Sequence, residues 1–412
     1  MSTLQPVRGT HDLLPDEARR HRFVEATAFE VASRYGYGEI VTPIFEFTEV
    51  FSRTLGETSD VVTKEMYTFT DRSGDSITLR PEGTAGVARA FISGGLAQSL
   101  PLKLFYRGPM FRHERPQKGR LRQFHQVGLE LLGVENPLAD VEVVATAWRL
   151  LSTLGLGDKV SLEINTLGDA ESRTAYREAL IAYLAPYNDR LSEDSRARLA
   201  KNPLRVLDSK DEGDKAVVAG APSMADSLTP AAREFFAAVT GGLEALGIPY
   251  TVNPRLVRGL DYYCHTAFEF TTTALGAQGT VLAGGRYDGL IGQMGGPVTP
   301  GIGWAAGVER LSMLVGEAPA APRPVAVIPM GDALAGMTLA ERLRAAGLAV
   351  DIGFSGNMKK RMARANKVGA RVALILGEDE MARGAVSLRD LDSGSQEEVP
   401  LASVVERLTG RG

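Results

Sequence analysis

Two runs, 102–114 and 121–131, alternate in character and flank a basic loop at 115–120 that contains proline and glycine, the pattern of a long β-hairpin. Period-two alternation places Met110, Arg112 and Glu114 on one face of the first strand, with Phe111 and His113 on the other. On the second strand Phe124, Gln126, Gly128 and Glu130 share a face, while Val127, Leu129 and Leu131 form the apolar side that a core would cover. At about 3.3 Å per residue, Gln126 and Glu130 stand about 13 Å apart, and Gly128 between them leaves space. Such a face can floor a pocket with a polar anchor at each end and arginine at the rim. A solvated sheet face explains a lone Gln and Glu about three times as readily. The glycine and the basic loop reduce that preference without reversing it.

Arginine is the residue to follow if a phosphate compound is bound, because the familiar glycine loops are missing. No G-x-x-x-x-G-K-[ST] occurs. GIGWAA, 301–306, fits G-x-G-x-x-G/A in form, but it follows Gly-Gly-Pro-Val-Thr-Pro where a dinucleotide-binding unit needs a strand. Planar, permanently charged guanidinium groups suit phosphate and carboxylate. Cys264 is the only cysteine and the five histidines are scattered, so no structural zinc spacing exists and no resident metal is expected.

These positions need a frame, and the composition supplies one. The 412 residues are 44% hydrophobic and 23% charged, enough for two or three domains with real cores and against disorder as the main state. Forty-six Lys and Arg against 50 Asp and Glu leave a charge of −4, so any nucleic-acid contact must be a local patch. No apolar run approaches the roughly 18 residues of a membrane span, and the first residues lack the pattern of a signal peptide. A cytoplasmic chain with no membrane partner is expected.

Helical spacing of Phe23, Ala26, Val31 and Ala32 predicts a helix over 15–35, and short strands follow around 66–70 and 76–79, joined by an Arg72-Ser73-Gly74-Asp75 turn. Residues 140–154 look helical. Over 169–242 the composition turns to Ala, Arg, Glu and Asp with helical periodicity, which predicts a helical insertion. Strand character returns at 250–252 and 262–273, and a helix is expected at 308–314. EAPAAPRP, 317–324, reads as a linker. Beyond it, strands at 325–328, 350–352 and 372–376 alternate with helices at 334–346 and 357–368, a small α/β domain with largely parallel strands over 325–412.

FYRGPMFRHERPQKGRLRQFHQVGLELLG, 105–133, resembles the second signature motif of class II aminoacyl-tRNA synthetases in the form found in histidyl-tRNA synthetases. Other segments agree in order. TLRPEGT at 78–84 is similar to that family's amino-acid loop, LVRGLDYY at 256–263 and LAGGRYDGL at 282–290 to its two histidine-specific motifs, and GIGWAAGVERL at 301–311 to the third class II motif. Pro43 stands where the first motif has proline. The resemblance spans essentially the whole chain. It implies an α+β fold: an antiparallel-sheet catalytic domain, 1–168 and 243–316, interrupted by the helical insertion 169–242 and followed by the linker 317–324 and a C-terminal α/β anticodon-binding domain, 325–412.

The implied reaction joins histidine and ATP, with Mg2+ accompanying ATP, into histidyl-adenylate and then moves histidine to the 3′ end of its tRNA. Two anions must meet in the first step, and fixed cations offset the charge that builds on the phosphate oxygens. By the resemblance Arg112 holds the α-phosphate, Arg310 the γ-phosphate, and Arg258 bridges the histidine carboxylate and the α-phosphate. A neutral imidazole offers one N–H and one acceptor nitrogen, so a selective pocket needs a carboxylate and a hydroxyl. Glu130 and Tyr263 match those family positions. Glu82 and Thr84 would take the α-ammonium group, Gln126 would stand at that end, and Tyr262 belongs to the same set; the backbones of Gly83, Gly284 and Gly285 could admit the ligand closely.

Each residue has a plainer reading. Arg258 or Arg310 alone is more often a surface or ion-paired arginine, by roughly four to one. Glu82 after Pro81 could be the acid of a helix N-terminus, and Tyr262 and Tyr263 could be strand residues on opposite faces. Five motifs in the right order outweigh these single-residue readings.

For the tRNA partner, Lys360, Arg364, Lys367 and Arg371 fall at helical spacing opposite Met358, Met362 and Ala365, a basic stripe about as consistent with a solvated face as with phosphate contact. Arg115, Lys118, Arg120 and Arg122 make a second patch, suited to the acceptor end. A homodimer through the Pro43 region is implied by the family. The rivals are the inactive paralogue that serves as regulatory subunit of ATP phosphoribosyltransferase, expected to lose the arginines and the anticodon domain, and a nucleic-acid-binding module, which needs no histidine pocket.

Overall fold

The computed structural model describes residues 3–55, 59, 61–117, 119–207, 209–257, 262–276 and 279–410. Pro15, whose missing N–H costs nothing in a first turn, opens the helix Pro15–Arg34 with Asp16 and Glu17 beside it. Its Val24, Ala28 and Val31 recur on one stripe and are buried.

That stripe lies on an eight-stranded sheet whose order is Gly38–Glu39, Leu102–Phe111, Gln123–Leu132, Gly301–Gly307, Thr280–Arg286, Cys264–Thr271, Ser161–Thr166 and Thr251–Val252. The six inner strands pair antiparallel, and only the two outermost pairings are parallel. The helices Pro15–Arg34, Leu138–Thr153 and Val308–Val315 cover one face, where Val127, Leu129 and Leu131 pack with Phe105, Ile302 and Trp304. The apolar side of the hairpin is the core side, and its polar side faces away from these helices. A smaller antiparallel sheet of Phe45–Phe47, Ser76–Leu79 and Tyr67–Thr70 lies nearby in sequence. Its turn is fixed by Asp71, whose carboxylate accepts from the Ser73 and Asp75 N–H groups at 2.8 and 2.9 Å.

The helical stretch has its own apolar cluster, with Tyr176, Leu180, Leu184, Val206 and Val217 at its centre. Its last helix differs from expectation. Pro230–Ala245 runs past residue 242 and sends Val239 and Leu243 into the sheet's core, because Gly242 lets it close on Val141 of Leu138–Thr153.

Two compact units divide the chain, 1–318 and 319–412. In the second, Val350–Ile352, Val325–Pro329 and Val372–Leu376 are parallel, as expected, but an antiparallel hairpin of Ala385–Asp390 and Gln396–Pro400 completes a five-stranded sheet. This hairpin escaped the sequence reading because its edge strand, Gln396-Glu397-Glu398, is polar on both sides of the pleat and carries no alternation.

One internal tie had no sequence signal of its own. Arg286 in LAGGRYDGL is fully buried and forks onto Asp140, with further bonds to the Val134 carbonyl at 3.0 Å and Asp288 at 3.1 Å, its guanidinium stacked on Phe235. It fastens the strand Thr280–Arg286 to the helix Leu138–Thr153. Removal of one partner from such a pair costs about 3 to 5 kcal/mol.

Candidate active site

On the polar face of the large sheet lies a cavity of about 230 Å³. Strand register builds its floor: Gly303 stands opposite Glu130, Ala305 opposite Gly128 and Gly307 opposite Gln126. A Cβ on Gly303 would strike the Glu130 carboxylate and one on Gly301 the Tyr287 ring, so the two glycines of GIGWAA are flat strand positions that make room for an acid and for the tyrosine bonded to it. No phosphate loop forms there, in line with the reading of that segment as unrelated to dinucleotide binding.

At the deep end Glu130 is 1% exposed. Its carboxylate accepts from the Thr84 hydroxyl at 2.7 Å and from the Tyr287 hydroxyl. Burial pushes its pKa up to about 8, even though both hydroxyls favour the charged form. Tyr262 and Tyr263 stand over this end with rings 4.5 Å apart. Both line the cavity, so they do not point to opposite faces; the strand begins only at Cys264, and the preceding turn releases them from alternation. Tyr287 had no place among the expected site residues. Its signal was within reach, in the tyrosine that follows Gly-Gly-Arg in the second histidine-specific segment.

Glu82 is the acid of a helix N-terminus and also reaches the cavity. Its carboxylate accepts from the Thr84 and Ala85 N–H groups at 2.7 and 2.8 Å, capping the helix Thr84–Ser93, and it lines the cavity. Burial raises its pKa, opposed by those two N–H groups and the nearby Arg112. Gln126 sits midway with its Oε1 buried and without a hydrogen-bond partner among the described residues. An unpaired buried acceptor is costly, and a ligand cation or N–H would satisfy it.

The open end is cationic. Arg112 is held by the Pro81 carbonyl at 2.9 Å and lies over the Phe124 ring. Arg310 is fixed by the Gly119 carbonyl at 3.1 Å and by the Thr280 carbonyl. Arg120 joins them in the cavity, 3.1 Å from Glu114, with Arg112 3.8 Å from the same acid. Burial lowers the pKa of Arg310, and the charges of Arg120 and Arg112 lower it further against the pull of Glu114. Arg112 and Arg120 share Glu114, and Arg310 stands close enough to feel both of their charges, an arrangement that an incoming polyanion would relieve.

Several expected placements change. The space over Gly128 and beside Gly83 is filled by the Tyr106 ring, that beside Gly285 by Tyr263, and that over Gly284 by Trp304, Phe268 and the Gly303 carbonyl. These glycines therefore admit protein side chains, where close approach of ligand was expected. Arg120 faces the cavity, while Arg115 is exposed and Arg122 is packed over Gly9 with its Nε 3.3 Å from the Glu114 carbonyl. Arg258 and Lys118 lie outside the described residues.

In the second unit Met358, Met362 and Ala365 pack under the sheet, and Lys360, Arg364 and Lys367 are exposed on the helix Met358–Lys367. Arg364 is tied bidentately to Asp351 at 2.7 and 2.8 Å. Arg371 falls beyond the helix end, its guanidinium on the Leu408 carbonyl, because the helix stops ahead of Gly369. The basic stripe is thereby shorter than its spacing suggested.

A family model described as histidyl-tRNA synthetase matches residues 9–311, and one described as an anticodon binding domain matches 324–411. The chain belongs to the histidyl-tRNA synthetase family. It is 70% identical to the histidine–tRNA ligase of Rhodospirillum rubrum over 99% of both chains, and 58% identical to that of Gluconacetobacter diazotrophicus over 100% of this chain and 99% of the relative. Among solved structures, that of apo Staphylococcus aureus histidyl-tRNA synthetase superposes with a TM-score of 0.83 at 35% identity, covering 98% of this chain and 99% of that one. The antiparallel-sheet catalytic fold and the C-terminal anticodon-binding domain are thus those of the histidyl-tRNA synthetase family.

Proposed function

We propose that the chain activates histidine with ATP and transfers it to the 3′ end of histidine tRNA. The observation that carries this reading is one cavity with a buried carboxylate at one end and three arginines at the other. Glu130 has lone pairs left after Thr84 and Tyr287, enough to accept an imidazole N–H, while Tyr263 offers the hydroxyl for the other nitrogen. Gln126 and Glu82 would receive the α-ammonium group. Arg112, Arg120 and Arg310 would hold the triphosphate and offset charge in the adenylation transition state. Arg258 would bridge the histidine carboxylate and the α-phosphate, a role that rests on motif resemblance alone. Mg2+ would arrive on ATP, where Glu114 is the carboxylate placed among the phosphate-binding arginines. Presence of Arg112 and Arg310, and of an anticodon-binding domain, weighs against a regulatory paralogue.

No helix among the described residues is long and apolar enough to cross a membrane, and a cytoplasmic location fits this function. Val41, Ile44, Phe45, Phe47 and Phe69 are exposed, the first four close to Pro43 in sequence, and a second copy would cover such apolar side chains. Light scattering at micromolar protein should give twice the chain mass. A monomer mass would remove the homodimer from this reading.

The tRNA contact is tested in the second unit. Lys360→Ala with Lys367→Ala should raise the KM for tRNA several-fold and flatten its salt dependence, with pyrophosphate exchange unchanged. Arg364→Ala should matter less, since Asp351 already neutralises that charge. Charging kinetics that are unaltered in the double variant would return the helix to a solvated face. Loss of exchange together with charging would assign it to folding. For the reaction as a whole, labelled histidine should appear on the 3′ adenosine of tRNA in the presence of ATP, and its failure to do so would reject the proposal.

A further inference from the structure

Behind the arginine end of the active cavity three elements bring His21, His125 and Glu309 together, each offering a ligand atom within 4.8 Å of the others. His21 comes from the helix Pro15–Arg34, His125 from the strand Gln123–Leu132 and Glu309 from the helix Val308–Val315. His21 is 9% exposed, and its Nδ1 is buried with no hydrogen-bond partner among the described residues. The His125 ring meets the His21 ring edge to face at 5.6 Å and places its Nδ1 2.9 Å from the Glu309 carboxylate. A cavity of about 240 Å³ opens onto the cluster and brings His11 and Glu17 to its wall. Three of the chain's five histidines are thus gathered around one carboxylate, Glu309, which also reaches the wall of the active cavity.

We propose that His21, His125 and Glu309 form a binding site for a divalent transition-metal ion of the Zn2+ class. Two imidazoles and one carboxylate are a preferred donor set for Zn2+, Co2+ and Ni2+ and a poor one for Mg2+, which favours oxygen ligands. At a metal–ligand distance of about 2.0 Å tetrahedral ligands stand about 3.3 Å apart, so the side chains would close by an ångström or so around the ion. The ion would satisfy the buried His21 nitrogen and replace the proton shared by His125 and Glu309. Water, or His11 or Glu17 from the cavity wall, would complete the shell. The position gives the site a consequence: His125 adjoins Gln126 and Glu309 adjoins Arg310 in sequence, so a bound ion would fix the two backbone segments that present these groups to the active cavity.

The test is titration of the intact, chelator-treated protein with Co2+, read by its visible d–d bands, and with Zn2+ by calorimetry. One ion per chain should bind, and His21→Phe, which keeps an aromatic ring against His125 but removes the donor, should weaken binding at least tenfold. Thermal melting without metal should show that His21→Phe folds as the parent does. A second variant, His21→Gln, covers the case in which the phenylalanine disturbs packing. Absence of stoichiometric binding by the parent, or equal affinity in a folded His21 variant, would overturn the site.

Discussion

Glu130→Ala should weaken histidine activation by more than tenfold while leaving ATP binding intact. The Glu130 carboxyl becomes the charged acceptor at the buried end of the cavity when histidine binds, and a charged hydrogen bond to an imidazole N–H is worth about 1.5 to 3 kcal/mol. The loss should appear in kcat/KM for histidine and spare KM for ATP, since the arginines lie at the other end of the floor. Glu130→Gln gives a second, independent readout in the absence of ligand. Burial raises the folded-state pKa of Glu130 from 4.5 to about 8, so the folded chain retains a proton that the unfolded chain loses. The resulting stability is complete below the ordinary carboxylate range and disappears as pH rises through the folded pKa, falling by about 1.4 kcal/mol for each pH unit between the unfolded and folded values. Between about pH 5 and about pH 9 the parent should lose stability relative to Glu130→Gln, which has nothing to titrate there. Parallel melting curves across that range would mean that Glu130 is charged in the unliganded protein, and unchanged histidine kinetics would remove it from the pocket.

The second large effect is expected at Arg310. Its guanidinium is held in place by the Gly119 and Thr280 carbonyls, so the fold fixes a charge beside Arg112 and Arg120 before any ligand arrives. Arg310→Ala should lower adenylation kcat/KM for ATP by about 10² to 10³. Arg310→Lys should recover only part of it, because an ammonium cannot reach both carbonyls and phosphate with one planar fork. The pair Arg120→Ala and Arg310→Ala should be less than additive, since removal of either relieves repulsion on the other. Strict additivity would indicate that the two act on separate ligands.

The sequence carried the hairpin because its apolar face is continuous, with Val127, Leu129 and Leu131 as strict alternates, and the structure buries all three. It carried Glu130 and Gln126 as neighbours of one face for the same reason. Alternation says nothing about partners from other segments. Tyr287 and Thr84 reach Glu130 from positions 157 and 46 residues away, and Arg286 finds Asp140 across 146; no local period encodes such meetings. Glycines misled in one specific way: Gly83, Gly128, Gly284 and Gly285 signal close approach, but a sequence does not reveal whether ligand or protein fills the space, and here Tyr106, Tyr263 and Trp304 fill it. The basic helix was visible as composition, whereas the ion pair of Arg364 with Asp351 depends on a strand that only the tertiary fold brings alongside.

Amino-acid-dependent ATP–pyrophosphate exchange, measured on the intact chain with each standard amino acid in turn, tests the assignment of one cavity to histidine and ATP most directly. Exchange should occur with histidine alone, because only its side chain presents an N–H to Glu130 and an acceptor to Tyr263 at the same depth. Comparable exchange with another amino acid, or none with histidine, would contradict it.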